Sequence, residues 1–182
     1  MPKKDSSRNV VKALITNDKI ITENSDAAKE LAVQGGFGKQ LDDGRIQLSF
    51  LEAFYLIEKK KIKIFDGRNK EVEESNFLKK AKKSEHNFWT RYAAFKDIRN
   101  RGYIIKTALK FGADFRIYDR GVKPGDDHSK WVLFPVHEGS TLTWHDFASK
   151  NRVAHSTKKR LLIGIVDDES DITYYEIRWV RP

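Results

Sequence analysis

The chain is predicted to be α+β, with a small mixed α/β N-terminal domain over 1–86 and a mixed-sheet α/β domain over 87–182. Three observations lead there. Hydrophobic residues make up 39% and aromatics 12%, enough to pack a core rather than leave the chain disordered. Strand-like alternation and helix-start signals occur in both halves. Near residues 85–90 the pattern changes from hairpins and helices to a set of strands flanking one helix, which places a boundary there.

The elements follow in order. "VVKALITNDKIITEN" reads as a hairpin turning at Asn17 and Asp18, residues that tolerate the backbone of a two-residue turn. A short helix is expected around Asp26 to Val33, then a loop, "QGGFGKQLDDGR". Ser49 followed three residues later by Glu52 is a capping box opening the helix "FLEAFYLIEKKK". Its Phe50, Ala53, Phe54 and Ile57 recur at helical spacing and are expected in the core. "KIKIFDGRNKEV" signals a second hairpin with Asp66 and Gly67 near its turn. Residues 75–87 are helical and basic, and the "KKAKK" within them is a solvated face or an RNA contact. His86 is expected in this inter-domain helix.

Residues 87–101 form an amphipathic helix that stops at Gly102, a natural C-cap. Then come "YIIKTALKFGADFRIYD" and "KWVLFPV" as strands, and "TWHDFASKNRVAHSTKK" as a helix, with Thr143 and Asp146 offering another cap. "RLLIGIVDDESDITYYEIRWV" closes the chain as a strand pair. The run 161–166 is apolar at nearly every position. Such a strand is buried on both faces, or buries its outer face in another subunit.

Bulk composition narrows the function. With 35 Lys and Arg against 26 Asp and Glu, the formal net charge is +9, which favours a polyanionic partner, nucleic acid above all, over a merely soluble surface. No cysteine is present. Disulfides, thiol nucleophiles and cysteine metal sites are therefore excluded, and a reducing or hot environment is suited. No stretch reaches the roughly 20 apolar residues of a membrane span. "MPKKDSSRNV" lacks an apolar signal-peptide core, so a cytoplasmic location is expected.

The chemistry centres on "FGADFRIYDRGVKPGDDHSK". Alternation sends Phe115 and Ile117 to one side, and Arg116 and Tyr118 to the other. The plain structural reading is an edge strand with one apolar and one wet face. Cleaving an RNA phosphodiester without a metal needs a base for the 2′-hydroxyl, an acid for the departing 5′-oxygen, and a cation for the charge on phosphorus. His128 suits the acid role, because an imidazole titrates near neutrality. It also lies in a Gly-, Pro- and Asp-rich loop, where polar function concentrates. A capping or core role suits His86, His137 and His145, while His155 sits favourably at the C-terminal end of a helix dipole. Tyr118 would serve as base only with cations nearby to favour the phenolate, and Arg116 is placed to help. "GDDH" also permits a metal reading, on two adjacent aspartates.

Several motifs together resemble one known family. "FKDIRNRGYIIKTALKFGADFRIYDRG", then "HSKWVLFPV", then "RVAHSTKKRLLIGIVDDESDITYYEIRWV" resemble the catalytic domain of archaeal tRNA-splicing endonucleases. "LSFLEAFYLIEKKKIKIFD" is similar to their N-terminal domain. The likeness runs through nearly all of residues 90–182 and makes the second domain a nuclease catalytic domain. It implies an enzyme that needs no cofactor and no metal. Precursor tRNA would be cut at the two junctions of a bulge-helix-bulge, leaving 2′,3′-cyclic phosphate and 5′-hydroxyl ends.

By this resemblance Tyr118, His128 and Lys159 form the catalytic trio, with Lys158 a rival to Lys159. Arg152 matches an arginine that stacks on a flipped-out base, which suits unpaired RNA. Its partner would be Arg178 or Trp179. The acidic turn of Asp167, Asp168, Glu169 and Asp171 would enter a basic cleft on another subunit, and the strands "LLIGIV" and "YYEIRWV" would form a tighter dimer contact. A homotetramer is expected, since paired cuts need paired sites. The alternatives are a heterotetramer with a separate structural subunit and a non-catalytic RNA-binding subunit.

Overall fold

The fold is that of a computed structural model, which describes residues 10–180. The basic opening stretch, 1–9, on which the cytoplasmic expectation rests, lies outside the described residues. Residues up to Phe88 form one compact unit and those from Trp89 onward a second. Each carries its own five-stranded sheet and helices, so the α+β expectation holds.

In the first unit, β1 (Val11–Thr16) and β2 (Lys19–Thr22) pair as the expected hairpin, with Asn17 left-handed at φ 52. α1 (Asp26–Val33) is capped by Ser25, whose hydroxyl accepts from the Ala28 amide. β3 (Lys39–Gln40) folds out of the stretch expected as a loop and pairs with β4 (Ile46–Leu48), which directly follows that stretch. α2 (Phe50–Glu58) opens with the predicted capping box. Glu52 is bound on several sides: its carboxylate also accepts from the Gly38 amide at 2.8 Å. Phe50, Ala53 and Phe54 are buried as expected; Ile57 is only half-buried, and Leu51 and Leu56 take core places instead.

Two expectations fail here. The second hairpin is a turn without a full return strand. The Asp66 carboxylate accepts from the Arg68 and Lys70 amides, but only a single bridge joins Phe65 to Glu71. β5 (Ile62–Phe65) pairs instead in parallel with β1, in the sheet order β3-β4-β2-β1-β5. That partner is distant in sequence, so a local turn signal misreads it. His86 lies between α3 (Glu74–Ser84) and the next helix rather than within one.

α4 (Phe88–Asn100) runs to Gly102, whose φ of 85 is readily reached only without a Cβ. The second sheet follows, in the order β10-β9-β8-β7-β6, from β6 (Ile104–Thr107), β7 (Phe115–Tyr118), β8 (Trp131–His137), β9 (Arg160–Val166) and β10 (Ile172–Ile177). β7 is therefore interior, flanked by β6 and β8, and not the edge strand that its alternation suggested. Its outer residues are not wet: Tyr118 is 3% exposed and Arg116 half-buried.

Within this second sheet, among the described residues, only β8 and β9 pair in parallel. A parallel pair needs a crossover, and α5 (Trp144–Ser156) supplies it, capped by Thr143 and Asp146 as predicted. Ala154 of α5 packs with Val132, Phe134, Leu161 and Ile163 on one sheet face. On the other face Phe95 of α4 meets Phe115 at 6.2 Å. The Tyr174 hydroxyl donates to Asp97 of α4 at 2.9 Å. Burial and the Asp97 carboxylate push the Tyr174 phenol well above its usual value. In β9, Leu162 and Ile165 stay half-buried, so the strand is not sealed on both faces within one chain.

Candidate active site

Strand register gathers the site. Ile117 of β7 lies opposite Trp131 of β8, and Trp131 lies opposite Arg160 of β9. One step further, Tyr118 ends its strand just where Lys130 and Lys159 precede theirs. β7 runs antiparallel to β8 and β9 parallel to it, so one end and two beginnings meet at the same rim of the sheet. Alternation places Tyr118 with Arg116, opposite Val132 and thus toward α5; Lys159, two before Leu161, takes the same side. The Lys130 amide donates to the Ile117 carbonyl (2.9 Å) and the Arg160 amide to the Lys130 carbonyl (3.0 Å), carrying the ladder to this rim.

An open cleft of about 560 Å³ lies there, lined by Arg116, Tyr118, His128, Ser129, Thr157 and Lys159, with Gly125, Asp126 and Asp127 on the loop side. The structure thus brings Tyr118, His128 and Lys159 to one cleft. Lys158 is not among its lining residues.

Each side chain is held differently. His128 is exposed on the loop between β7 and β8. The base of that loop is clamped by Lys130, whose amine meets the Asp119 carboxylate at 2.7 Å. This cation, together with the Arg120 amide, holds the Asp119 carboxyl below the usual range. The Asp127 carboxylate accepts from the His128 amide at 2.6 Å. Tyr118 lies beneath Arg116, whose guanidinium is 5.6 Å from the ring centre.

Lys159 follows the end of α5. The Lys158 amide donates to the His155 carbonyl and the Lys159 amide to the Ala154 carbonyl, with Lys158 left-handed at φ 55. This is the two-bond helix ending in which glycine usually takes the left-handed position. It turns Lys159 into the cleft, where its amine donates to the Ser129 carbonyl at 3.1 Å. Partial burial, and then the Arg116 charge, push the Lys159 amine below its ordinary value.

The other expected residues lie elsewhere. Arg152 is exposed on α5 and does not line the cleft. Trp179 rests edge-on against His155 of α5, 5.1 Å between ring centres. Arg178 is bound by Glu176 at 2.8 Å, a carboxylate that also accepts from Trp131. The acidic turn joins β9 to β10: the Asp171 amide donates to the Asp167 carboxylate at 2.8 Å. Asp168, its side chain 81% exposed, lies 3.1 Å from His137. His145 is exposed, and the capping falls to its neighbours. Among the described residues no group of three or more His, Asp or Glu is gathered to hold a metal ion, and no helix is long and apolar enough to cross a membrane. Ser129 and Thr157 escaped the sequence reading. The signal for Ser129 was its place directly after His128, ahead of a strand; Thr157 carries none without the crossover topology.

The family models agree with this architecture. That of the tRNA intron endonuclease catalytic C-terminal domain matches residues 88–174, and that of the N-terminal domain matches residues 11–78. Among curated relatives, the tRNA-splicing endonuclease of Nanoarchaeum equitans is 44% identical over 152 residues, 80% of this chain and 97% of its own length. That of Methanothermobacter thermautotrophicus is 40% identical, covering 91% of this chain and 95% of the relative. That of Pyrococcus furiosus is 34% identical, covering 96% and 99%. The chain belongs to the tRNA-splicing endonuclease family.

Proposed function

We propose that this chain is an endoribonuclease that excises introns from precursor tRNA, cutting at bulge-helix-bulge junctions without a metal ion. Tyr118 takes the proton of the 2′-hydroxyl, and the freed oxygen attacks the adjacent phosphorus. The bond to the 5′-oxygen breaks as His128 protonates that oxygen. Lys159 stabilises the negative charge gathered on the non-bridging oxygens. The ends left are a 2′,3′-cyclic phosphate and a 5′-hydroxyl.

The observation that carries the reading is the shared cleft of Tyr118, His128 and Lys159: an acid–base pair and a cation around a space that admits a phosphate. Arg116 adds a second positive charge beside the phenol, within the same cleft. Arg152 and Trp179 would engage an unpaired base outside the cleft. Between Arg178 and Trp179, the Glu176 ion pair on Arg178 favours Trp179. The enzyme works in the cytoplasm as a homotetramer, its exposed acidic turn docking on another copy.

The test is incubation of the chain alone with an intron-containing precursor in excess EDTA, followed by end mapping. Two cuts with cyclic phosphate and 5′-hydroxyl ends are expected. Loss of cleavage on chelation, or 5′-phosphate ends, would overturn the reading. A mass measurement giving an inactive dimer would favour a heterotetramer with a structural subunit.

A further inference from the structure

Trp144 is the most exposed large hydrophobic side chain among those described, at 85%. It opens α5, and its ring meets Phe147 edge to face (5.8 Å, 88°), so at least one indole face stays open. An indole left in water forgoes a large burial gain, and such exposure marks a contact surface.

Its surroundings say what kind. The exposed positions of α5 between its first and last turns are Trp144, His145, Ala148, Arg152, His155 and Ser156, besides Asp146. At 100° per residue those six form one continuous stripe, opposite the side on which Ala154 and Val153 pack. Asp146 projects away from the stripe and is spent on the Thr143 cap. The stripe therefore holds one guanidinium and two imidazoles, and no carboxylate. Trp179 closes its far end against His155, and the chain then runs through Thr157 to Lys159 in the cleft. From Trp144 to His155 the track is about 16 Å long, some five bases at the ~3.4 Å step of a stacked strand.

We infer that this face of α5 is a track for unpaired RNA, with Trp144 stacking on a base remote from the cut. The inference rests on the RNA-cleavage reading and extends its contact surface beyond Arg152. A stripe that carries a guanidinium and no carboxylate, with an open indole face at its Trp144 end, suits single-stranded nucleic acid. A protein interface core would be more apolar than Ala148, Ser156 and two histidines.

The test measures RNA binding apart from cleavage. Fluorescence titration uses a precursor RNA carrying 2′-deoxyribose at both scissile positions, and in parallel an unstructured RNA of about 10 nucleotides. Trp144→Ala should raise Kd for both by about 10-fold, given the usual gain from one base–aromatic stack. Trp144→Phe should recover most of that affinity. In turnover of cleavable RNA the defect should fall on KM and not on kcat. Trp144→Gln serves as a second variant should alanine fray the first turn. Unchanged Kd in both the Ala and Gln variants would overturn the proposal. So would an altered oligomeric mass on removing Trp144, which would assign the indole to a second copy of the chain. Binding that depends on Trp144 in an enzyme that cuts nothing would leave the track standing and remove the cleavage reading.

Discussion

The Lys159 amine donates to the Ser129 carbonyl across 3.1 Å, so the cation is held by the backbone carbonyl of the residue that directly follows His128. Two groups about 30 residues apart in sequence thereby become one device, because β8 and β9 begin side by side. Small errors in either strand's start would spoil both.

Lys158 sets how Lys159 enters the cleft. Its left-handed backbone costs a side-chain-bearing residue about 1 kcal/mol that glycine does not incur. Lys158→Gly is expected to keep single-turnover rates close to wild type while raising unfolding free energy by up to about 1 kcal/mol. Lys158→Val, β-branched and averse to this conformation, should slow cleavage on the order of 10-fold or more, as misplacement of a reacting group does. Equal rates in both variants would remove Lys158 from the positioning of Lys159.

The pH dependence follows from the Lys159 amine. Burial and Arg116 hold it below the ordinary lysine value of 10.5, and in the proposed mechanism its charged form is the one that stabilises the transition state. The alkaline limb of kcat should therefore begin below that value. Arg116→Gln should move the limb upward, since one of the two depressing influences is gone. For stability the sign is opposite to that of a salt-bridged lysine. The charged amine is disfavoured in the folded state, so this group's cost is present below its depressed value and disappears as pH rises to the ordinary one. A limb that does not respond to Arg116→Gln would contradict the assignment.

Tyr174 fastens β10 to α4 through Asp97, while Arg101 holds the same carboxylate at 2.8 Å. Tyr174→Phe removes one hydrogen bond to a charged acceptor and leaves the ion pair. A loss of roughly 1.5–3 kcal/mol in denaturant unfolding is expected, with little change in the cleavage step. A loss of cleavage at full stability would show that this pair serves the chemistry instead.

What the sequence revealed was local. The caps Ser49 with Glu52 and Thr143 with Asp146 are signals four residues long, and both helices start where those signals lie. The Asn17 turn is equally local. β5 was misread because its parallel partner, β1, lies some fifty residues away, and a hairpin signal at Asp66 outweighed a pairing that no local pattern encodes. β7 looked like an edge for the same reason: alternation gives faces but not neighbours. The candidate site shows the division most clearly. Loop composition drew attention to His128, but Lys159 among 35 Lys and Arg residues carried no mark of its own. It came from the family resemblance, and its convergence with Tyr118 depends on three strand registers. Trp144 was read only as part of a helix, since exposure is a property of the fold.

The central claim is that His128 protonates the leaving oxygen. The direct measurement compares wild type, His128→Ala and Lys159→Ala on RNA whose scissile 5′-oxygen is replaced by sulfur, a leaving group that needs no proton. With the oxygen substrate His128→Ala should be slower by ~10²–10⁴-fold, the range for a positioned acid. With the sulfur substrate it should cleave nearly as fast as wild type, while Lys159→Ala stays slow. A sulfur substrate that leaves the His128→Ala defect undiminished would contradict the account.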